Sequence, residues 1–275
     1  MELSEPVRAV GNDRAGRDYW DHAWENEEFP DDIDPSSRRI WAHRDQLFHR
    51  AFQKLLSHTP SPSVLELGCA RSAWLPYFAS HHQAAVSGLD YSPRGAEQSA
   101  ARLRREGIPG DVRCADLFDP PADWRGKFDV VVWFGVAEHF DDPTKAIRAA
   151  AEFLKPGGLL ITEIPNLVGA AGWIQRVFNK AVYDIHVPHS RESLTYHHLA
   201  AGLEVVHSEY AVPIDFGVVE IGGATNDALL PAKKRILYGL RLLTGAMWWI
   251  DRRIRLPVTR LLSGFVIVAA RKPNS

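Results

Sequence analysis

The chain has 275 residues, of which 45% are hydrophobic and 24% charged, and its formal net charge is −2 at pH 7. This composition is typical of a globular protein with a sizeable core, and the small net charge argues against a nucleic-acid partner. The two cysteines, Cys69 and Cys114, are too few for a disulfide framework. The sequence shows neither a basic-then-apolar leader nor an apolar run of about 18 residues. We therefore expect a cytoplasmic protein.

Residues 1–58 are predicted to form a polar arm followed by helices. The first 16 residues lack apolar periodicity. Helices are expected between Asp18 and Leu56, where aromatic residues stand among polar ones. The sequence Thr-Pro-Ser-Pro at 59–62 then interrupts the chain, so a different region begins there.

Short apolar runs alternate with helical patterns over residues 59–212. Strands are predicted over 64–67, 84–89, 112–115, 128–134, 159–164 and 203–210, and helices over 72–80, 93–106, 143–154 and 194–201. One more strand, over 265–270, lies in the final segment 263–275. This alternation predicts an α/β fold with a doubly wound, mostly parallel sheet that binds its ligand at the carboxyl ends of the strands.

Small or acidic residues follow the first three predicted strands. The first strand leads into a turn that begins Gly68-Cys69-Ala70, where small residues let the backbone approach a ligand closely. The second strand ends at Asp90, whose carboxylate can accept hydrogen bonds from two ribose hydroxyls. The third ends at Asp116, which suits an adenine amino group. Together these positions indicate a ligand that contains adenosine.

Five segments in the same order and spacing resemble the motifs of class I S-adenosylmethionine (SAM)-dependent methyltransferases. They are Val-Leu-Glu-Leu-Gly-Cys at 64–69, Gly-Leu-Asp-Tyr-Ser at 88–92, Ala-Asp-Leu-Phe at 115–118, Phe-Asp-Val-Val at 128–131 with Glu-His-Phe at 138–140, and Leu-Lys-Pro-Gly-Gly at 154–158. The resemblance implies a Rossmann-like seven-stranded sheet with its last strand antiparallel. It also implies SAM as cofactor and methyl transfer as the reaction.

The resemblance further implies which residues contact SAM: Tyr19, Trp20, Glu66, Gly68, Cys69, Ala70, Asp90, Tyr91, Asp116, Leu117, Phe118, Phe134 and Gly135. By this resemblance Asp90 binds the ribose and Asp116 the adenine amino group. The turn after the first strand would face the methionine part, with Glu66 supporting it. Phe134 and Gly135 would line the region of the sulfonium.

The glycine-rich turn departs from the family pattern Gly-x-Gly-x-Gly. Here it is Gly-Cys-Ala-Arg-Ser at 68–72, so that Ala70 and Ser72 replace two glycines. Both residues are small, and we expect SAM binding to survive. Two alternatives are a non-catalytic partner protein on the same fold and an NAD-dependent oxidoreductase. The oxidoreductase would carry Gly-x-Gly-x-x-Gly, of which this turn has only the first glycine.

Methyl transfer to a hydroxyl or an amine requires a group that removes the acceptor proton. Candidates are His139, His186, His189 and Glu138. We favour O-methylation, with N- or C-methylation of a natural-product or lipid-linked intermediate as the alternative. The spacing of His186 and His189 suits a metal ligand pair, but no neighbouring cysteine or carboxylate completes it. No metal site is therefore predicted.

Residues 213–262 are predicted to form a helical cap before the final strand. Its part from 232 to 262 contains eight basic residues and one acidic residue, a local charge of +7. Apolar residues at helical spacing, among them Trp248 and Trp249, make this part amphipathic. Such a helix can cover the ligand pocket or lie peripherally on an anionic membrane. Both possibilities indicate a small apolar or amphiphilic acceptor.

Overall fold

The computed structural model describes residues 13–25, 29–221 and 227–274, so most of the predicted polar arm lies outside the described residues. The described helices are α1 (Arg17–Ala23), α2 (His43–Leu55), α3 (Trp74–His82), α4 (Pro93–Glu106), α5 (Pro143–Glu152), α6 (Ala170–Phe178), α7 (Lys180–Asp184), α8 (Arg191–Ala200) and α9 (Leu230–Ile254). The strands are β1 (Ser63–Leu67), β2 (Ala85–Asp90), β3 (Gly110–Cys114), β4 (Phe128–Phe134), β5 (Leu154–Pro165), β6 (Glu204–Ala211) and β7 (Phe265–Arg271).

The strands form one seven-stranded sheet in the order β3-β2-β1-β4-β5-β7-β6. The pairs from β3 to β5 are parallel, whereas β7 runs antiparallel to both of its neighbours, β5 and β6. The predicted fold class, with its antiparallel last strand and the helical insertion before it, is confirmed.

Side chains of the central strands alternate between two hydrophobic clusters, one on each face of the sheet. In β4, Val131 and Trp133 belong to one cluster, and Val130 and Val132 to the other. All four are fully buried. This explains why the segment reads as a continuous apolar run: helices cover both faces of a parallel sheet.

The helix that follows β2 has clear start and stop signals in the sequence. The side chain of Ser92 accepts a hydrogen bond from the backbone N–H of Gly95, and Pro93 occupies the first helical position. The helix ends before Gly107, which has φ +67°. The structure therefore has α4 at the predicted residues.

The long helix α9 occupies the middle of the predicted cap. It buries Leu237, Thr244 and Trp248 on one side, and Leu237 packs in a third hydrophobic cluster with residues of α6 and of the segment 214–219. The sequence had not predicted α6 or α7. None of the described helices combines the length and hydropathy needed to cross a bilayer.

Candidate active site

A cavity of about 1140 Å³ lies at the carboxyl ends of the parallel strands. Its wall consists of the turns after β1, β2, β3 and β4, together with parts of α1, of residues 30–48 and of the first residue of β7. Small-molecule pockets usually measure about 300–1,000 Å³. The cavity is therefore slightly larger than most pockets for a single small molecule, and it lies at the edge of the sheet where the sequence predicted a ligand.

The turn between β1 and α3 approaches the cavity closely because two glycines leave room for it. Gly68 has φ +69°, and a Cβ there would lie 2.6 Å from the side chain of Val136. A Cβ on Gly95 of α4 would lie 2.7 Å from the Cβ of Ala70. The methyl group that Ala70 adds to the family pattern is thus accommodated by the missing side chain of Gly95.

Two acidic residues at the ends of β2 and β3 line the cavity. Asp90 accepts hydrogen bonds from the backbone N–H groups of Ala70 and Ser92, both over 2.9 Å. Burial raises the pKa of Asp90 to about 6, and these two donors oppose the rise. Asp116 accepts a hydrogen bond from the Phe118 N–H over 2.8 Å. A carboxylate can accept about four hydrogen bonds, so Asp90 retains lone pairs for a ligand.

Glu66 lies beneath the same turn. Ser72 donates a hydrogen bond to its carboxyl group and accepts hydrogen bonds from the N–H groups of Trp74 (2.9 Å) and Leu75 (3.0 Å). Burial raises the pKa of Glu66 to about 8. At pH 7 this residue is therefore mostly a neutral carboxylic acid that joins the cavity floor to the first turn of α3.

The N-terminal segment covers one side of the cavity through hydrogen bonds to Asp13. Tyr91, directly after β2, donates a hydrogen bond to this carboxylate, and Trp20 Nε1 donates to it over 3.3 Å. The Trp20 ring lines the cavity and meets the ring of His139 edge-on, with 5.0 Å between the centroids. This wall is next to Asp90 and Asp116.

The part of the cavity next to the ends of β4, β5 and β7 is mainly aromatic, with Trp41, Phe48, Trp74, Phe134 and Phe265 in its wall. Trp74 and Phe134 stack with their ring centroids 4.7 Å apart. Polar side chains in this part of the wall are Arg44, Asp45 and Glu163. An apolar or aromatic ligand that carries one polar group matches this lining.

Glu163 was not among the residues predicted from the sequence. It lies on β5, paired with Phe134 of β4. Burial raises its pKa to about 8, against the opposing charge of Arg44. Its Oε1 is buried and has no hydrogen-bond partner among the described residues. The sequence feature that could have identified Glu163 is an acidic residue within a mainly apolar predicted strand.

The three histidines predicted as candidate bases lie in different surroundings. His139 lines the cavity, and its Nδ1 donates a hydrogen bond to the carbonyl of Ile185 over 2.9 Å. His186 lies outside the cavity wall, with its ring centroid 4.5 Å from that of His139. His189 is buried, 3.2 Å from the hydroxyl of Ser193. Burial lowers the pKa of all three, to about 4 for His186 and His189, so they are neutral at pH 7.

Most residues that the resemblance assigned to SAM lie in the cavity wall: Trp20, Glu66, Gly68, Ala70, Asp90, Tyr91, Asp116, Leu117, Phe118, Phe134 and Gly135. Two others lie outside this wall. Tyr19 is 38% exposed. The thiol of Cys69 is buried against Gly88, where a Cβ would lie 2.6 Å from Sγ.

The tryptophans of α9 do not belong to the described wall of the cavity either. Trp248 is buried, and its Nε1 donates to the carbonyl of Ile214 over 2.7 Å. Its ring meets Trp41, which does line the cavity, at a centroid distance of 5.9 Å. Trp249 is exposed. The cap therefore does not cover the cavity with its own tryptophans. Instead, α9 packs behind Trp41 and supports the wall.

A family model described as a methyltransferase domain matches residues 40–208, more than half of the chain. The chain belongs to this methyltransferase domain family, and the resemblance inferred from its motifs is confirmed. Family membership also favours a methyltransferase over the NAD-dependent oxidoreductase that was kept as an alternative.

Curated relatives include ubiquinone biosynthesis O-methyltransferases. The chain is 33% identical to that of Xanthomonas axonopodis pv. citri (strain 306) over 108 residues, which are 39% of this chain and 45% of the relative. It is 32% identical to that of Chromobacterium violaceum over 95 residues, or 34% of this chain and 40% of the relative. The chain thus spans less than half the length of these curated relatives.

Solved structures share the fold at low sequence identity. A geranyl diphosphate C-methyltransferase from Streptomyces coelicolor A3(2), in complex with Mg²⁺, geranyl-S-thiolodiphosphate and S-adenosyl-L-homocysteine, aligns with a TM-score of 0.60 and 15% identity over 96% of this chain and 99% of that one. The [4+2]-cyclase SpnF aligns with a TM-score of 0.57 and 19% identity over 92% and 86%. At these identities the likeness concerns the fold alone.

Proposed function

We propose that the protein is a SAM-dependent methyltransferase that acts on a small apolar or amphiphilic acceptor, with O-methylation favoured. The observation that carries the proposal is a single cavity with two chemically different parts. One part has acidic residues at the ends of β2 and β3, and the other is aromatic and includes one carboxyl oxygen, on Glu163, that has no partner among the described residues. Two such parts suit a cofactor and an acceptor that must meet for in-line transfer.

In this proposal SAM lies along the ends of β1, β2 and β3. Asp90 accepts hydrogen bonds from the ribose hydroxyls, and Asp116 from the adenine amino group. Trp20, Tyr91 and the ring of Phe118 enclose the adenine. The glycine turn faces the methionine part, which directs the methyl group toward Phe134 and the aromatic part of the cavity. The aromatic wall excludes water from the reacting atoms.

We place the acceptor beside Glu163, which we propose as the group that removes its proton. Glu163 lies in the cavity wall, and its buried Oε1 has no partner among the described residues, so a rotation of the carboxyl group would let an acceptor hydroxyl donate to it. The positive sulfonium of bound SAM favours ionisation of a nearby carboxyl group. His139 is the second candidate. We prefer Glu163 because the imidazole of His139 is already hydrogen-bonded to Ile185 and covered by Trp20.

Calorimetry with SAM, S-adenosylhomocysteine and NAD tests the cofactor. We expect the full chain to bind the first two and not NAD. Asp90→Ala removes charge-assisted hydrogen bonds of about 1.5–3 kcal/mol each, so SAM affinity should fall at least about tenfold. The exposed Asp119 provides the control variant Asp119→Ala. Equal SAM affinity of the wild type and a folded Asp90→Ala variant would refute the assignment.

Methyl transfer from labelled SAM to a panel of phenols, alcohols and amines then identifies the acceptor class. With the best acceptor, Glu163→Gln should lower kcat by about 10²–10⁴ while SAM affinity stays the same. His139→Ala should act less strongly. A normal kcat in Glu163→Gln together with a large loss in His139→Ala would assign the base to His139 instead.

We further propose that α9 contacts an anionic membrane surface. The face opposite the buried Leu237, Thr244 and Trp248 exposes apolar side chains: Ile236, Tyr238, Leu242, Leu243, Trp249 and Ile254. Arg235 and Arg253 lie on the same face, since their separation of 18 residues equals about five helical turns. Basic and aromatic residues on one apolar helix face favour an interfacial position. Such contact would hold a cytoplasmic enzyme reversibly at the membrane.

Sedimentation with vesicles of phosphatidylcholine, with and without phosphatidylglycerol, tests this contact. Each arginine near an anionic surface contributes about 1 kcal/mol, so Arg235→Glu combined with Arg253→Glu should weaken binding to anionic vesicles more than tenfold. Arg104→Glu with Arg105→Glu on α4 is the charge-matched control. Arg252 is left unchanged because it donates to the carbonyls of Arg38 and Arg39. Equal binding of both double variants would argue against the contact.

A further inference from the structure

We propose that Glu138, His139 and His186 form a binding site for a divalent transition metal ion such as Zn²⁺. Glu138 and His139 lie in the short 3₁₀ turn that follows β4, and His186 lies just after α7. One potential ligand atom of each residue lies within 4.8 Å of the other two. The spacing in the sequence pairs His186 with His189 as possible metal ligands. The fold instead brings His186 next to a carboxyl group and a histidine that lie 47 residues or more away in the chain.

The separation of the three ligand atoms is close to that of a metal site. The centre of a triangle with sides of 4.8 Å lies about 2.8 Å from each corner, whereas Zn²⁺ binds nitrogen and oxygen at about 2.0–2.2 Å. Each ligand atom would therefore move by at most about 0.6–0.8 Å. Rotation of the side chains can supply a movement of this size without a change in the backbone.

Backbone carbonyls orient both imidazole rings. The Nδ1 of His139 donates a hydrogen bond to the carbonyl of Ile185 over 2.9 Å, and the Nδ1 of His186 donates to the carbonyl of Val182 over 2.6 Å. A neutral imidazole with its proton on Nδ1 carries a lone pair on Nε2. This is the usual arrangement around metal-binding histidines, in which the second nitrogen of each ring is held by a carbonyl or a carboxylate.

Glu138 contributes a buried carboxyl group, which would lose its proton and become a negatively charged ligand when a cation binds beside it. Its side chain is 2% exposed, and Oε2 has no hydrogen-bond partner among the described residues. Burial raises the pKa of this carboxyl group well above its ordinary value, and the nearby Glu163 adds to the rise. A buried carboxylate is stable only when it is paired or binds a metal, so a divalent cation would satisfy the orphan oxygen.

The backbone around the three residues is held in place by hydrogen bonds. The N–H of Val187 donates to the carbonyl of Glu138 over 2.6 Å, and the side chain of Arg14 donates to the carbonyl of His186 over 3.0 Å. These contacts fix the loop after α7 against the turn after β4. The site is therefore largely formed without the ion.

The ligand set indicates which ions should bind. Two imidazoles and one carboxylate suit Zn²⁺ and the divalent ions of manganese to copper, whereas Mg²⁺ and Ca²⁺ prefer oxygen ligands. The ion would lie directly behind the part of the cavity wall formed by His139. It would thereby fix this wall beside the acceptor position, and its charge would favour the ionised form of nearby carboxyl groups.

Metal binding can be measured on the full chain without an acceptor. After dialysis against a chelator, we expect calorimetry to give one Zn²⁺ per chain and no comparable binding of Mg²⁺. Zn²⁺ at 100 times its dissociation constant should raise the Tm by about 5 °C. Substitution with Co²⁺ should give visible absorption bands that report nitrogen and oxygen ligands. Absence of Zn²⁺ binding to the chelator-treated protein would overturn the proposal, and preferential binding of Mg²⁺ would overturn the choice of ion.

Variants assign the ligands. Glu138→Gln and His186→Ala should each weaken Zn²⁺ binding at least about 100-fold, as expected for loss of one ligand of three. His189→Ala, which removes a buried histidine from the same segment, is the matched control and should keep the affinity.

Circular dichroism and the Tm without metal identify any variant that fails to fold, in which case His186→Gln replaces His186→Ala. Unchanged Zn²⁺ affinity in both ligand variants, or an equal loss in the control, would refute the site. SAM binding by calorimetry is independent of these results, so failure here leaves the proposed methyltransferase function intact.

Discussion

Glu66 is kept as a neutral acid by its position under the glycine turn. Desolvation is the main cause of its raised pKa, and the charge of Asp90 adds to it. In the unfolded chain the same carboxyl group has its ordinary pKa of 4.5. The folded chain thus retains a proton that the unfolded chain releases between pH 4.5 and about 8. Folding stability decreases as the pH rises through this interval.

We therefore predict that Glu66→Gln becomes increasingly stabilising with pH in the SAM-free protein. The amide keeps an oxygen that can accept the Ser72 hydrogen bond but does not titrate. The Tm of the variant relative to the wild type should increase by roughly 5 °C between pH 5 and pH 8. Thermal unfolding over this range measures it, with the exposed Glu97→Gln as control. A Tm difference that stays constant with pH would contradict the pKa of Glu66.

The sequence predicts those side chains of the cavity wall that directly follow a strand. It does not predict those that reach the cavity through tertiary packing. Asp90 and Asp116 could be predicted because each comes at the carboxyl end of a predicted strand, and neighbouring parallel strands end at the same edge of the sheet. Arg44 and Glu163 could not, since one lies on an N-terminal helix and the other inside a strand. Their meeting at one cavity depends on how α2 crosses the sheet, which no local pattern encodes.

The turn after β1 and the helix α4 form a matched pair of elements. The methyl group of Ala70 fits only because α4 presents Gly95 to it. Glycine inside a helix is ordinarily unfavourable by about 1 kcal/mol relative to alanine. Here the small residue has a packing reason, since a side chain at 95 would also approach the carboxylate of Asp90, with its Cβ 3.2 Å from Oδ1.

We predict that Gly95→Ala lowers SAM affinity about tenfold or more, because the added methyl group displaces the turn and Asp90. Adding Ala70→Gly to Gly95→Ala should recover part of this affinity, since Ala70→Gly removes the methyl group that opposes the new one at position 95. Calorimetry with SAM measures both. Gly239→Ala on α9, where no atom lies within 4 Å of the added Cβ, is the control. Undiminished SAM affinity in Gly95→Ala would contradict the packing argument.

Among the elements, those with strong boundary signals were predicted best. The helix α4 has its serine cap, its proline and its terminal glycine, and β4 is a continuous apolar run between turns. The strand β5 begins at Leu154, earlier than predicted, because the Lys-Pro-Gly-Gly segment continues into the strand. The short α6 and α7 were missed, since five to nine residues give too few turns for a recognisable period.

The chain as a whole is held together around the cavity by contacts between α9 and the N-terminal region. His43 at the start of α2 and Asp251 on α9 form a buried pair with 2.7 Å between Nε2 and Oδ2. Arg252 donates to carbonyls of the segment just before α2. Trp41, between these contacts, lies in the aromatic part of the cavity wall. The cap thus supports from behind the part of the cavity wall that the N-terminal region forms.

We predict that His43→Ala destabilises the protein by about 3–5 kcal/mol, because it leaves Asp251 buried without its partner. The wall at Trp41 should also loosen, so the KM for the acceptor should rise while SAM affinity changes little. Urea unfolding and steady-state kinetics measure the two effects. The exposed His22→Ala is the control. A stability loss below about 1 kcal/mol would show that the buried pair does not hold α9 in place.

The position of β7 between β5 and β6 has a consequence for how the chain acquires its structure during synthesis. Strands β1 to β4 follow one another in the sequence and pair among themselves, so this half of the sheet can assemble while the ribosome is still translating the rest. β5 can pair with β4 as soon as it is made, whereas β6 pairs with β7 in the described sheet and must wait for it, and β7 comes after the whole of α9. Until then β6 exposes unpaired backbone on both edges. The nascent chain can therefore complete the part of the sheet from β3 to β5 first, and β6 joins it only with the last strand.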